Sequence, residues 1–149
     1  MSASIEVYNP MSPYSNAINV LEKNGIRATK QRRVLAKLIF DKGKRHISAE
    51  NLFDEVKKDD RKISMATIYN TLKQFTNLGL IKEIVVDQNK SLYCNNNQSH
   101  YHLYIEDEGK VIDIPTKNID LDIPSIPACL QLHDIDVIVR IRTLKDKKS

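Results

Sequence analysis

Cysteine is scarce in this 149-residue chain: there are two, Cys94 and Cys129, far apart and outside any C-x-x-C pair. That excludes a disulfide framework and a zinc site built from cysteines alone, and a reduced, cytoplasmic protein is expected. Long hydrophobic runs are missing as well. No apolar stretch approaches the ~20 residues needed to span a bilayer, and no charged-then-apolar export signal opens the chain, so export is not expected. Hydrophobic residues still make up 41% of the sequence, enough for a real core in one ordinary domain or two small ones. The third shortage is of acid. From Lys23 to Arg45 stand nine basic residues (Lys23, Arg27, Lys30, Arg32, Arg33, Lys37, Lys42, Lys44, Arg45) against Asp41 alone, within a formal net charge of +4. A solvated helix face usually mixes both signs. A run of one sign is the footprint of a phosphate-facing surface, because each cation near a phosphate releases condensed counterions.

What is present is most informative from Ser64 to Ile81. Ser64 predicts a helix N-cap, Ile68, Leu72 and Phe75 repeat at helical spacing, and Gly79 suits the left-handed position after the last turn. Thr67, Asn70, Lys73, Gln74 and Asn77 then fall largely on the other side, a face of short polar and basic side chains suited to a major groove. Upstream, residues 1–12 read as a loose arm. Ser12-Pro13 opens a helix with Ala17, Val20 and Leu21 on one face and Gly25 at its end. Thr29 caps a second helix with Val34, Leu35, Leu38 and Ile39 inward, and Ser48 opens a third through Leu52, Phe53 and Val56. A polar connector from Lys57 to Ile63 leads into the Ser64 helix, giving helix, turn, recognition helix. Ile81 to Val86 and Ser91 to Cys94, joined by Asp87-Gln88-Asn89-Lys90, read as a hairpin that supplies a wing.

The polar run 95–99 is the candidate linker. Beyond it, His102 to Glu106 and Lys110 to Ile114 predict a second hairpin, and Asp134 to Arg142 has the β-branched density of a buried strand. Pro115, Pro124 and Pro127 limit any helix between them to a short piece. The expected fold class is therefore α+β: an N-terminal winged helix-turn-helix DNA-binding domain over 13–94, then a small α/β domain over 100–149 whose strand edges favour dimerisation. The candidate DNA contacts are Arg27, Thr29, Gln31 and Arg32, then Ser64, Thr67, Tyr69, Asn70 and Lys73 on the recognition helix, and Lys90 in the wing. One such helix reads only a short half-site, so a homodimer on a pseudo-palindromic duplex operator is expected. Asn70 pairs best with adenine.

Four stretches, Gly25-Ile26-Arg27-Ala28-Thr29-Lys30-Gln31-Arg32, His46-Ile47-Ser48-Ala49-Glu50, Ala66-Thr67-Ile68-Tyr69-Asn70-Thr71-Leu72 and Gly109-Lys110-Val111-Ile112-Asp113, resemble in that order the signatures of the ferric uptake regulator family. Leu103 to Gly109 occupies the place where most members carry a C-x-x-C pair, with Ile105 and Glu108 at those cysteine positions, and in this the chain looks most like the iron response regulator branch. The resemblance implies a dimeric transcriptional regulator of iron homeostasis with a C-terminal dimerisation and sensing domain. It also implies a metal or haem effector, and it places a tyrosine at position 69 to contact DNA.

His100-Tyr101-His102 sits where that family has its histidine-rich sensing stretch, and the i, i+2 spacing on extended chain puts both imidazoles on one side. His46 matches the family histidine that reaches from the DNA-binding half. Cys94 stands where the family has a glutamate and can add a soft thiolate, while Asp113 and, less strongly, Asp120 can add carboxylates. An equal reading of Cys94 is a buried structural thiol. The expected metals are Fe(II), Mn(II) or Zn(II). For haem, the resemblance makes His100 and His102 candidate axial ligands with Tyr101 a phenolate alternative; no Cys-Pro dipeptide occurs. His133, outside every motif, reads as structural. The competing functions are a zinc, manganese or peroxide sensor of the same family and, remotely, a metal-dependent hydrolase built on His46, His100 and His102. Against an enzyme, no motif holds a carboxylate as general base and the basic surface would be unexplained.

Overall fold

A computed structural model of the chain describes residues 11–96 and 98–145, which fall into two compact units, Met1–Asn97 and Gln98–Ser149. Most of the expected N-terminal arm lies outside the described residues, as do Asn97 of the expected linker and residues 146–149.

In the first unit each α-helix begins one residue after a hydroxyl side chain. Ser12 precedes α1 (Pro13–Lys23), Thr29 precedes α2 (Lys30–Phe40), Ser48 precedes α3 (Ala49–Lys58) and Ser64 precedes α4 (Met65–Asn77). Each oxygen accepts from the backbone N–H three residues on, at 3.1, 3.3, 3.0 and 3.1 Å, satisfying a donor the helix itself cannot. At α3 the bond is reciprocated, since the Asn51 side chain accepts from the Ser48 N–H, and the box is complete. After α4, Gly79 takes φ +72°, the left-handed conformation in which a Cβ is strained.

The helices converge on one core. Leu21, Leu35, Leu52, Ile68, Leu72 and Phe75 are wholly buried, each stabilising the fold by about 1.5–3 kcal/mol relative to exposure. In α1 the deepest positions are Ala17, Ile18 and Leu21, with Val20 at the rim, and Thr71 joins the buried face of α4 with its hydroxyl donated to the Thr67 carbonyl at 2.8 Å. The predicted connector is shorter than expected because α3 continues through Lys58.

The wing is β2 (Lys82–Asp87) and β3 (Lys90–Cys94), with a turn of only Gln88-Asn89 between them and an irregularity between Val85 and Asp87. A two-residue strand, β1 (His46–Ile47), which the sequence did not reveal, pairs antiparallel with β3, so the order is β1-β3-β2. Two residues are too few to show period-2 patterning.

The second unit holds β4 (His100–Ile105), β5 (Lys110–Pro115) and β6 (Ile138–Ile141) in the order β5-β4-β6, with β4 antiparallel to β5 and parallel to β6. Its helical content among the described residues is one 3₁₀ turn, Thr116–Asn118, consistent with the proline limits. The strand predicted over 134–142 is shorter than expected and is not buried: β6 is an edge strand, half-exposed at Ile138 and Val139 and exposed at Arg140 and Ile141. Glu106 pairs with Arg140 of β6 at 3.5 Å and with Arg142 just beyond it at 2.7 Å.

Candidate DNA-reading face and metal centre

The starts of α2 and α4 lie side by side. Thr29, Lys30, Gln31 and Arg32 from the first, and Thr67, Asn70 and Thr71 from the second, line one open concavity of about 370 Å³. Five of the residues predicted to touch DNA are thus brought together, at two helix N-termini whose unpaired amides and dipoles favour an anion. Asn70, Lys73 and Tyr69 are exposed along α4, Arg27 is exposed before the Thr29 cap, and Lys90 is exposed at the end of the wing turn. Lys30 was not among the predicted contacts, although the Thr29 cap signal places it at the first helical position.

Part of the basic run is used inside the protein. Arg32 donates from Nε to Gln74 Oε1 at 3.1 Å and from its terminal nitrogen to the Arg27 carbonyl, tying α2 to α4. Arg45 holds Glu55 with two bonds of 3.0 Å and donates to the Leu38 carbonyl at 2.9 Å, while Lys42 reaches the same carboxylate at 2.8 Å. Burial would raise the Glu55 pKa, but the bonds from Arg45 and Lys42 outweigh it and hold the carboxyl below its usual value. The phosphate-facing footprint is therefore narrower than the run of nine.

Tyr69 was read as a DNA contact, and its hydroxyl already donates to Glu50 Oε1 at 2.8 Å. Glu50 sits in the first turn of α3, where a backbone N–H and then the Tyr69 hydroxyl lower its pKa; the same bond raises that of Tyr69. Glu50 stood in a quoted motif but was given no role.

In the second unit, strand geometry assembles three donors. His100 and His102 share one side of β4, and His102 lies opposite Asp113 of β5. His100 Nε2 is 2.9 Å from His102 Nε2, and Asp113 Oδ1 is 3.3 and 3.5 Å from the two nitrogens. A circle of ~1.9 Å radius passes through these three atoms, so one ion can reach all of them with bonds of about 2.1 Å. The Gln98 carbonyl accepts from His100 Nδ1; a carbonyl cannot donate, so Nδ1 carries the proton and Nε2 offers the lone pair a metal needs. Two histidines and one carboxylate form a set that suits divalent first-row metals and leaves positions open. Tyr101 alternates to the opposite face of the strand, away from these three donors. Asp120 is exposed beyond the 3₁₀ turn and outside the cluster.

In the first unit, β1 places His46 directly opposite Cys94, with their ligand atoms within 4.8 Å. Cys94 is 1% exposed. Asn95 clamps the ends of both strands: its amide donates to the Ile39 and Gly43 carbonyls at 2.8 and 2.7 Å, and its oxygen accepts from the Arg45 N–H at 2.8 Å.

A winged helix-turn-helix unit followed by a small sheet with a two-histidine, one-carboxylate cluster defines a metal-responsive DNA-binding protein. The profile of the ferric uptake regulator family matches residues 23–141, and the chain belongs to that family. The peroxide-responsive repressor PerR of Staphylococcus saprophyticus is 31% identical over 120 residues, 80% of this chain and 79% of its own. The repressor of the same name from Staphylococcus aureus strain Mu50 is 31% identical over 110 residues, 74% of each chain. Among solved structures, the Vibrio cholerae ferric uptake regulator superposes with a TM-score of 0.67 at 23% identity, over 85% of this chain and 98% of its own. A zinc-bound manganese uptake regulator gives 0.63 at 27% identity, over 86% and 98%. The protein is a metal-responsive transcriptional regulator that binds DNA as a homodimer.

Proposed function

We propose that this protein is a cytoplasmic regulator of iron homeostasis, not an enzyme, whose operator affinity is set by a divalent ion held by His100, His102 and Asp113, with His46 and Cys94 the further metal-ligand candidates of the sequence. The observation that carries the reading is the 2.9 Å separation of the two Nε2 atoms with Asp113 Oδ1 beside both. Two bonds of about 2.1 Å at a right angle place nitrogens ~3.0 Å apart. Three donors leave coordination positions open for further ligands. In the DNA-binding unit, Thr29, Gln31, Arg32, Ser64, Thr67, Asn70, Lys73, Tyr69, Arg27 and Lys90 would face the operator. In the second unit, exposed Leu121, Ile123, Ile126 and Leu132 line or border an apolar cavity of about 330 Å³, a surface suited to the partner subunit.

The two histidines fit haem less well. Axial ligands on opposite haem faces stand ~4 Å apart, twice a bond of about 2.0 Å, and these nitrogens are closer and on one side of a strand. The test is titration of Fe(II), Mn(II), Zn(II) and haem into wild type and a His100→Ala/His102→Ala variant, with operator affinity followed at fixed salt. Metal should tighten wild-type binding and leave the variant at its metal-free affinity; an unaltered metal response in the variant would assign sensing elsewhere.

A second reading, peroxide sensing, is favoured by the open N,N,O set, which suits Fe(II), and by the names of the staphylococcal relatives. There, peroxide should release DNA from Fe(II)-loaded but not Mn(II)-loaded protein, with oxygen added to His100 or His102 by mass spectrometry.

A further inference from the structure

The bond between Tyr69 and Glu50 constrains what the tyrosine can read. Tyr69 projects from α4 with 48% of its surface exposed, one position before Asn70 on the face that reads DNA. A phenol has a single O–H to donate and lone pairs with which to accept. That single donor is committed to Glu50 Oε1 at 2.8 Å, and a bond to an ionised acceptor is shorter and stronger than a neutral one. The carboxylate is itself held by a backbone N–H in the first turn of α3 and lies in the field of Lys90 in the wing. Elements α3 and α4 thus meet at this one hydroxyl.

We propose that Glu50 is a specificity-determining positioning residue: by taking the Tyr69 proton donor, it leaves the phenol oxygen able only to accept, so that Tyr69 selects base edges that donate. In the major groove those are the amino groups of adenine and cytosine, whereas guanine O6 and N7, thymine O4 and every phosphate oxygen accept. Tyr69 is thereby turned from the backbone toward the base edges, and the Glu50 charge disfavours approach of a phosphate to the same spot. The proposal rests on α4 being the reading helix.

The experiment is selection from a randomised duplex pool with Mn(II)-loaded wild type, Tyr69→Phe, Glu50→Ala, Glu50→Gln, and Glu50→Ala combined with Tyr69→Phe. Asn70→Ala serves as a control for the face. Wild type should prefer adenine or cytosine over guanine or thymine at one position of the contacted strand by about fivefold, the low end of discrimination by hydrogen bonding to a base. Tyr69→Phe and Glu50→Ala should each bring that ratio near one. Glu50→Gln keeps an acceptor and should retain it, and adding Glu50→Ala to Tyr69→Phe should change nothing further at that position. A Glu50→Ala shift that persists in the Tyr69→Phe background would mean that Glu50 touches the base itself, and would overturn the proposal. So would an unchanged preference in Tyr69→Phe. Unchanged preferences in Asn70→Ala would instead reject α4 as the reader, which separates the two failures. Both side chains are exposed, and thermal melts of each variant exclude unfolding as the cause.

Discussion

Replacing Arg27 with alanine should weaken binding to every DNA sequence alike and should do so in a way that counts subunits. Arg27 is exposed two positions before the Thr29 cap, and its role in the fold is through its backbone carbonyl, which accepts from Arg32 and survives truncation of the side chain. The loss is therefore one phosphate contact per subunit, two per dimer. Each neutralised phosphate contributes about 0.9 to the slope of log affinity against log salt, so the slope should become shallower by about 1.8, and diluting salt fourfold should strengthen wild-type binding about twelvefold more than variant binding. Fluorescence anisotropy of a labelled duplex at salt concentrations from 0.05 to 0.2 M, a range chosen around the ~10 Å screening length, measures this directly. The same slope change must appear on operator and on unrelated duplex. A change near 0.9 would imply one engaged subunit, and no change, or one confined to the operator, would refute the assignment of Arg27 to the phosphate backbone. Arg32→Ala should behave differently, because it also removes the bond to Gln74 that ties α2 to α4 and so lowers thermal stability as well as affinity.

Asn70→Ala should relax preference at one base position and cost about 1–3 kcal/mol against the best operator, measured by competition with single-base operator variants. Phe75→Ala, at a wholly buried site, should destabilise the first unit by about 3–5 kcal/mol in urea denaturation. Glu55 has a folded pKa below its ordinary value of 4.5, so its contribution is present above that value and lost as pH falls through the lower folded one; Glu55→Gln should flatten the acid limb of stability below about pH 4.5, read as the urea midpoint against pH. If metal tightens operator binding by some factor, operator must tighten metal binding by the same factor, which calorimetric metal titration with and without duplex checks.

The helical half of the fold was legible because its cues are local and agree with one another. A hydroxyl cap at Ser12, Thr29, Ser48 and Ser64 lies within three residues of the N–H it satisfies, and a stripe such as Ile68, Leu72 and Phe75 needs no knowledge of its partner to declare a buried face. The strands were legible to within a residue where turn chemistry marks them, at Asp87 to Lys90 and Asp107 to Gly109. What failed depended on pairing. His46–Ile47 is a strand only because β3 offers it a ladder, and the chain from Asp134 is strand only from Ile138 because only there does β4 lie alongside it. Its β-branched density reflects apolar side chains such as Ile135 and Val137 bordering the cavity of the second unit, not burial within a sheet.

The site divides along the same line. That His100 and His102 share a side follows from period 2, and the structure adds the partner that completes their set: Asp113 is opposite His102 because the turn at Asp107 to Gly109 fixes the register, and a slip of one residue would carry it to the other face. Tyr101 falls on the other side of β4 by that same alternation. For Cys94, sequence position left a buried thiol and a ligand equally open. The structure adds its register opposite His46, which depends on a strand pairing the sequence did not reveal. The Asn95 clamp fastens the adjoining ends of both strands to the end of α2 and the loop after it. Side chains that act through one another are the least visible in a sequence. Glu50 and Tyr69 are separated by nineteen positions, and each looks ordinary alone; the crossing of α3 and α4 makes one the acceptor for the other, and so decides which hydrogen-bonding half of the phenol remains for DNA.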